Sequence, residues 1–381
     1  MDFENPAAWT TSFDTFFAQF GTFFQRSETR ESARLYLRGL LAEVKRKNSW
    51  QLAECLGLTT PHPLQRLLNE AQWDADVVCQ RLRQQVIGEL GDEPGVGVLD
   101  ESGVVKWGDK SAGVARQYCG RIGKVENCQV GVYLGYVAPT GAAFLDRELY
   151  LPEAWCADRA RCRAAKIPDD VPFRTKPELA QTMLERAWEE GIALQWVVGD
   201  TLYGNSPGLR DAIDRQDRYY VLAIGAQHHV RTADQSPLAL TTLRQRIPDT
   251  AWELMCFHLG EKGPIGYEWT ALRVWMPNDT VGEQWLVLQR TLDTPAEYTF
   301  YLSNALAETA LADLAAVALS RHTIEVMFEE TKSEVGLADY EVRHWQGWYR
   351  HMTLVLLAHA WLKLIQHHQR EKKVGSPPGF P

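Results

Sequence analysis

Two short apolar runs that each close on an aspartate constrain the fold of this chain most: VGVLD, ending at Asp100, and WVVGD, ending at Asp200. Runs of this length bounded by turn residues read as strands. After VGVLD comes a connection rich in Gly, Lys and Ser, then CQVGVYLGYV and AAFLDRELYL, close enough together to form an antiparallel meander with it. PELAQTMLERAWEEG reads as a helix before WVVGD, SPGLRDAIDRQ as a helix after it, and YYVLAIG as a further strand. The predicted order is β-β-β-α-β-α-β, with a last helix near Arg321. Such an order gives a mixed α/β sheet whose functional residues lie at strand ends.

The last helix, RHTIEVMFEETK, carries Arg321, Glu325 and Lys332 at offsets of four and seven, which return to nearly one helix face. Ile324, Met327, Phe328 and Val335 supply the apolar flank that docks it on a core. Two strand-end aspartates and one helix glutamate can converge on a divalent cation. Carboxylates without His or Cys ligands suit Mg2+ or Mn2+, and two such ions about 3.5–4 Å apart serve phosphodiester displacement. Crowded carboxylates repel unless a cation offsets them. Strand-end aspartates are also common as turn formers, and Glu–Lys pairs as surface decoration. Glu329 and Glu330 are rival third acids, and the residues by themselves leave these alternatives open.

A chain of 381 residues with 45% hydrophobic content suggests two or three domains. No apolar run approaches the ~20 residues that span a bilayer, and no signal-peptide pattern opens the chain, so a cytoplasmic protein without a membrane partner is expected. Seven scattered cysteines support neither a disulfide framework nor a zinc site. The net charge of −9 argues mildly against nucleic acid, yet local clustering decides. Between Arg26 and Lys47 seven bases face three acids, and Arg26, Arg30, Arg34 and Arg38 recur every fourth residue along one helix side.

Phe13, Phe16, Phe17, Phe20, Phe23 and Phe24 follow a helical repeat. SWQLAECLGL and LQRLLNEA around TTPHP read as two short helices, either a helix-turn-helix or plain helical packing. From Gly225 to Asn304, AWELMCFHLG, YEWTALRVWM and EQWLVLQRTL alternate as strands of a β-rich insertion. YEVRHWQGWYRH interleaves bases with aromatics, TLVLLAHAWLKLI is an apolar helix, and the tail has a disordered composition. The expected segments are an N-terminal helical domain over 1–92, a core over 93–226, the insertion over 227–304, the rest of the core with the glutamate helix over 305–366, and a tail over 367–381.

Longer stretches add a resemblance. ARLYLRGLLAEVKRKNSWQLAE, TTPHPLQRLLNEAQWDAD, LDESGVVKWGDKSAGVARQYCGRIGKVENCQVGVYL, LYLPEAW, FRTKPELA, VVGDTLYG, GEKGPIGYEWT and IEVMFEETKSEVGLADYEVRHWQGWYRHMTL run from about Arg34 to His359. In them the chain resembles the DDE transposases of bacterial insertion sequences, and within those the insertion sequence 701 family, a relative of the insertion sequence 4 group. The latter carries a tyrosine, arginine, glutamate, lysine signature; Arg321, Glu325 and Lys332 match its spacing, while Ala318 stands where it has tyrosine. Glu101 follows the first aspartate, where a role beside the ligands is open.

The resemblance implies an α/β, RNase H-like mixed sheet interrupted by the β-rich insertion. It implies that Asp100, Asp200 and Glu325 are catalytic and bind two Mg2+ ions, with Mn2+ able to substitute. Water would attack at the element's ends and the freed 3′-hydroxyl would attack target DNA, a cut-and-paste reaction. The partners implied are double-stranded DNA, as terminal inverted repeats and target, and a second copy of the chain in a homodimer, at the nucleoid. Candidate DNA contacts are Arg30, Arg34, Arg38, Lys45, Arg46 and Lys47 in the helical region, and Lys106, Lys110, Arg116 and Lys124 after the first aspartate. Lys262, Arg321, Lys332, Arg343 and Arg350 complete the set, and Trp269 or Trp275 either stacks on a base or packs the insertion. A structure-specific nuclease that cuts without joining, and a host-recruited DNA-binding protein, are the alternative readings.

Overall fold

The computed structural model describes residues 6–91, 95–232, 237–260, 263–277 and 280–375. The chain opens with helices α1 (Pro6–Ala18), α2 (Ser27–Leu41), α3 (Ser49–Cys55), α4 (His62–Asn69) and α5 (Ala75–Leu90). Asn48 accepts from the backbone N–H groups of Trp50 and Gln51 to start α3, and Asp74 does the same for α5 with Asp76 and Val77. Each cap satisfies donors that have no partner within the helix. Strands β1 (Gly95–Val105), β2 (Ala115–Cys119), β3 (Lys124–Ala138) and β4 (Gly141–Leu149) follow. Then come α6 (Glu153–Ala157), α7 (Arg159–Ala164), α8 (Lys176–Glu189), β5 (Leu194–Gly199), α9 (Thr201–Gly204), α10 (Pro207–Asp214) and β6 (Tyr219–Ile224). A small hairpin, β7 (His229–Val230) with β8 (Leu238–Ala239), and α11 (Leu240–Leu243) lead to β9 (Glu253–Gly260), β10 (Gly263–Trp275), β11 (Glu283–Arg290) and β12 (Tyr298–Ser303). Helices α12 (Leu311–Ser320), α13 (His322–Ser333) and α14 (Trp345–Gly375) end the described chain.

The chain divides into two compact units, Met1–Asp92 with Glu101–Thr175 and Glu325–Pro381, and Glu93–Asp100 with Lys176–Ile324. The five N-terminal helices therefore share a unit with β2, β3, β4 and α14. There β3 pairs antiparallel with both β2 and β4, and α14 packs on β4, α5 and α2. The apolar helix expected from TLVLLAHAWLKLI is buried nearly all round, with Leu354, Val355, Leu356 and Leu357 inaccessible. Phe13, Phe16 and Phe17 are buried on α1 as their spacing predicts, but the helix ends at Ala18, so Phe20 and Phe24 are buried from the turn that follows it, and Phe24 packs on Trp73 with centroids 5.1 Å apart.

In the other unit the first half of β1 pairs in parallel with β5, and β5 in parallel with β6. The ladder turns antiparallel at β12 and continues through β11, β10 and β9, while α12 packs on β5, β6 and β10. The mixed α/β class expected from sequence is the observed one.

Three details differ from the sequence reading. The polar connection after Asp100 contains a strand of its own, β2, so Asp200 follows the fifth strand and not the fourth. The stretch 227–304 is not detached: β12 pairs with β6 through Phe300↔Ile224, Tyr301↔Ala223 and Leu302↔Leu222, extending the same ladder. YTFYLS, which forms β12, supplies the attachment that alternation in the neighbouring segments does not reveal. Finally, α14 runs past residue 366 to Gly375, fastened by His367 Nδ1 2.9 Å from the carbonyl of Thr140 and His368 Nε2 3.2 Å from Glu89. Residues 376–381 lie outside the described residues. Among the described residues no helix is long and apolar enough to cross a membrane.

Candidate active site

The β1–β5 ladder fixes the first two acids. Val96, Gly97, Val98 and Leu99 pair with Trp196, Val197, Val198 and Gly199, and the ladder ends at Leu99↔Gly199. Asp100 and Asp200 are the next residues on strands that lie about 4.8 Å apart, so their backbones leave the ladder side by side. Val98, Leu99, Val197 and Val198 are fully buried beneath them, which leaves no freedom in the register. β1 itself does not stop at Asp100, as the sequence suggested, but continues through Glu101 to Val105.

Asp200 is also the cap of the short helix α9, its side chain accepting from the N–H of Leu202 at 2.8 Å. Helix α9 is seated on β6 without clearance: a Cβ on Gly204 would lie 1.8 Å from the carbonyl oxygen of Ala223. Buried Arg210 donates to the Gly204 carbonyl. Asn205 Oδ1 accepts from the N–H of Gly225 at 3.1 Å and lies 2.8 Å from Nε2 of His228. Burial, reinforced by Arg210, pushes the His228 imidazole below its ordinary range. Asn205 and His228 escaped the sequence reading, because nothing in their spacing signals a clamp made by tertiary contact.

Glu325 lies in the first turn of α13 and is partly exposed. Its predicted flank is in place: Ile324, Met327, Phe328 and Val335 are buried, and the Phe328 ring packs 5.2 Å from Tyr133 and 5.1 Å from Phe144. The rival acids have different surroundings. Glu329 is exposed. Glu330 accepts from Lys363 Nζ at 2.6 Å and lies 2.9 Å from Nε2 of buried His359. Burial opposes its charge, but these two partners overcome that and hold the carboxyl down at about 2. Glu330 is thereby committed to fastening α13 on α14. Ala318, at the tyrosine position of the signature, is buried in α12. The structure brings Asp100 and Asp200 together; Glu325 belongs to the other compact unit, and among the described residues no three His, Cys, Asp or Glu side chains form a metal-holding group.

A family profile described as DDE superfamily endonuclease matches residues 15–251, well over half of the chain and including both aspartates. The chain belongs to the DDE superfamily of endonucleases. It is also 25% identical over 349 residues, 89% of this chain and 84% of the relative, to the probable transposase for insertion sequence element IS701 from Microchaete diplosiphon. The resemblance to insertion sequence 701 transposases read from the sequence therefore holds.

The bases expected to meet DNA in this endonuclease fall into distinct classes. Arg38, Lys45, Arg46, Lys110, Arg116, Lys124 and Arg343 are exposed. Arg30 is turned back onto the carbonyl of Gly21 at 2.9 Å, and Arg34 bridges Asp14 and Glu31 at 3.1 Å each. Arg321 and Lys332 are partly exposed, the Lys332 ammonium lying 5.2 Å from the centroid of the Phe328 ring.

Three lysine and arginine assignments need correction. Lys47 is only 4% exposed and donates to the carbonyls of Leu40 and Ala42, closing the C-terminus of α2. Arg350, 2% exposed, donates to the carbonyls of Leu68, Ala71 and Trp73, where desolvation lowers its guanidinium to about 10. Lys106 donates to the Tyr340 carbonyl at 2.8 Å, and burial pushes it down to about 7 against the pull of Glu341 and Asp339. Lys47 and Arg350, saturated by carbonyls in the interior, are not presented to phosphate, whereas Lys106 is partly exposed and engaged on Tyr340. Trp269 is likewise fully buried, stacked on Tyr301 at 6.1 Å, and Trp275 is half-buried, its backbone paired with Arg231. Trp269 therefore packs the ladder and does not stack on a base. Lys262 lies outside the described residues.

Proposed function

We propose that this endonuclease is a DNA transposase that cuts at the ends of its element and joins them to target DNA by a cut-and-paste mechanism on an RNase H-like core. The observation that carries the reading is the aspartate pair at the end of the β1–β5 ladder. Its donor chemistry, carboxylate oxygen without nitrogen or sulfur, fits a hard divalent cation. Asp100, Asp200 and, as the third acid, Glu325 would hold two Mg2+ ions, or Mn2+ in their place. Bound there, the ions would activate the attacking oxygen and stabilise the leaving oxygen.

The chain's own residues supply position and charge. Asp200 is oriented by its bond from the Leu202 N–H and by the seating of α9 on β6. Lys332, two turns from Glu325 on α13, would orient a phosphate through charge-assisted hydrogen bonds, and Arg321, the residue that caps α12, would add to that charge. Arg38, Lys45 and Arg46 would hold the phosphates of the terminal inverted repeats, a contact that positions DNA without reading it. Two copies of the chain would bridge two ends, at the nucleoid in the cytoplasm.

The test is incubation of the full chain with Mg2+ and a plasmid bearing both ends of its element. Excised ends and strand-transfer products are expected, and Asp100→Asn or Glu325→Gln should lower both about 100-fold or more with DNA binding retained. Cleavage without joining would move the protein to the class of structure-specific nucleases. Binding without cleavage in either metal would make it a non-catalytic DNA-binding protein. Unchanged cleavage in Glu325→Gln would remove Glu325 from the site.

A further inference from the structure

Trp107, on the connection from β1 to β2, is 97% exposed. An indole left in water forgoes the burial of about 150–250 Å² that usually places this residue in a core or an interface. The turn beneath it is nonetheless held firmly. Asn127 on β3 donates from Nδ2 to the carbonyls of Lys106 at 2.7 Å and Gly108 at 2.9 Å, and the Lys106 N–H donates to the Asn127 carbonyl at 2.9 Å. The Lys106 side chain is anchored on Tyr340, its ammonium 3.3 Å from the ring centroid. Gly108, at φ +79°, takes the left-handed conformation that closes the turn. The backbone on both sides of the indole is tied down, and the ring stands in solvent above it.

The neighbouring surface is basic and aromatic. Tyr118 is exposed on β2 opposite exposed Val125 on β3, and Arg116 stands two residues from Tyr118, facing the same way along the strand. Lys110 and Lys124 are also exposed; the local acids Asp109 and Glu126 lie 3.6 and 3.7 Å from them, so Arg116 tips the balance to positive. A protein-binding anchor is normally ringed by apolar contacts that exclude water. Here exposed Lys110 and Arg116 and the exposed ring of Tyr118 share the surface with the indole, the company of a base-stacking platform.

We propose that Trp107 stacks on an unpaired nucleobase of the DNA substrate, with Lys110, Arg116 and Lys124 on the adjoining phosphates. Bases inside a duplex are already stacked, so the base engaged is one freed at a gap or strand end. The proposal rests on the DNA-cutting role above, since cleavage is what creates such ends.

The test uses the full chain in EDTA, titrated onto a labelled duplex and onto the same duplex with a one-nucleotide gap facing 2-aminopurine. The wild type should prefer the gapped DNA and quench the 2-aminopurine. Trp107→Ala should lose roughly 5- to 100-fold of affinity for the gapped DNA and the quenching, Trp107→Phe should keep most of both, and intact-duplex affinity should be alike in all three. Equal gapped-DNA binding by wild type and Trp107→Ala, with binding itself intact, overturns the proposal and leaves the transposase reading standing. Absence of wild-type binding to any DNA overturns both. A change of oligomeric mass in Trp107→Ala with DNA binding unaltered would reassign the ring to a protein contact and overturn the proposal.

Discussion

The β10–β12 ladder and the turn clamped by β3 each hold a tryptophan in mixed company, YEWT in one and VKWG in the other, and they dispose of it in opposite ways. Trp269 pairs across to Gln289, stacks on Tyr301, and lies in a strand flanked by β9 and β11 with α12 packed against it. Trp107 lies on a connection whose hydrogen bonds are all spent on the backbone beneath it. Residue type and neighbours along the chain do not decide burial; the layers laid over the strand do. The bases divide in the same way, Arg350 and Lys47 inside on backbone carbonyls and Arg343 and Arg46 outside.

The largest effect expected from this contrast is on stability. Trp269→Ala should cost about 3–5 kcal/mol, read as a lowered denaturation midpoint, whereas Trp107→Ala should stay within about 0.5 kcal/mol of wild type. A comparable loss in Trp107→Ala would break the comparison. Next, Arg350→Ala leaves the buried carbonyls of Leu68 and Trp73 without this donor and should cost about 2–3 kcal/mol. Arg343→Ala should leave stability alone and weaken DNA binding, the weakening itself shrinking as salt rises. Asn127→Ala removes two hydrogen bonds from the turn and should cost about 1–2 kcal/mol, with hydrogen exchange accelerated at 106–108 ahead of β1.

The smallest effect concerns pH. Glu330 titrates at about 2 in the folded chain against an ordinary 4.5, so the stability it adds is present above 4.5 and is lost as pH falls through that window toward 2. Its carboxylate is partly exposed, so the contribution is about 1 kcal/mol or less. Glu330→Gln should flatten that part of the acid-unfolding curve, as measured by denaturant titrations at stepped pH. An unchanged curve would show that the bond to Lys363 adds nothing.

Patterns of alternation and spacing proved most legible. VGVLD and WVVGD are strands, they pair in parallel, and they deliver Asp100 and Asp200 to one level. The buried flank of α13 and Phe13, Phe16 and Phe17 on α1 also follow from period alone. The strands hidden from the sequence have different reasons: β2 is a short polar segment, ARQYC, with no apolar alternation, while the attachment of β12 lies in a partner far along the chain, Leu222–Ile224. The fate of Lys47, Lys106 and Arg350 was hidden as well, since whether a long cationic side chain reaches solvent or an interior carbonyl depends on packing and not on local sequence.

Gly204, pressed against the carbonyl of Ala223, bears on how this protein can vary. From Asp200 to Asn205 every anchor is spoken for, by the cap at Leu202, the Arg210 bond at Gly204 and the Gly225 bond at Asn205. One residue added or removed there would slide each anchor off its partner at once. Insertions and deletions in homologous chains should therefore avoid the six residues that begin at Asp200.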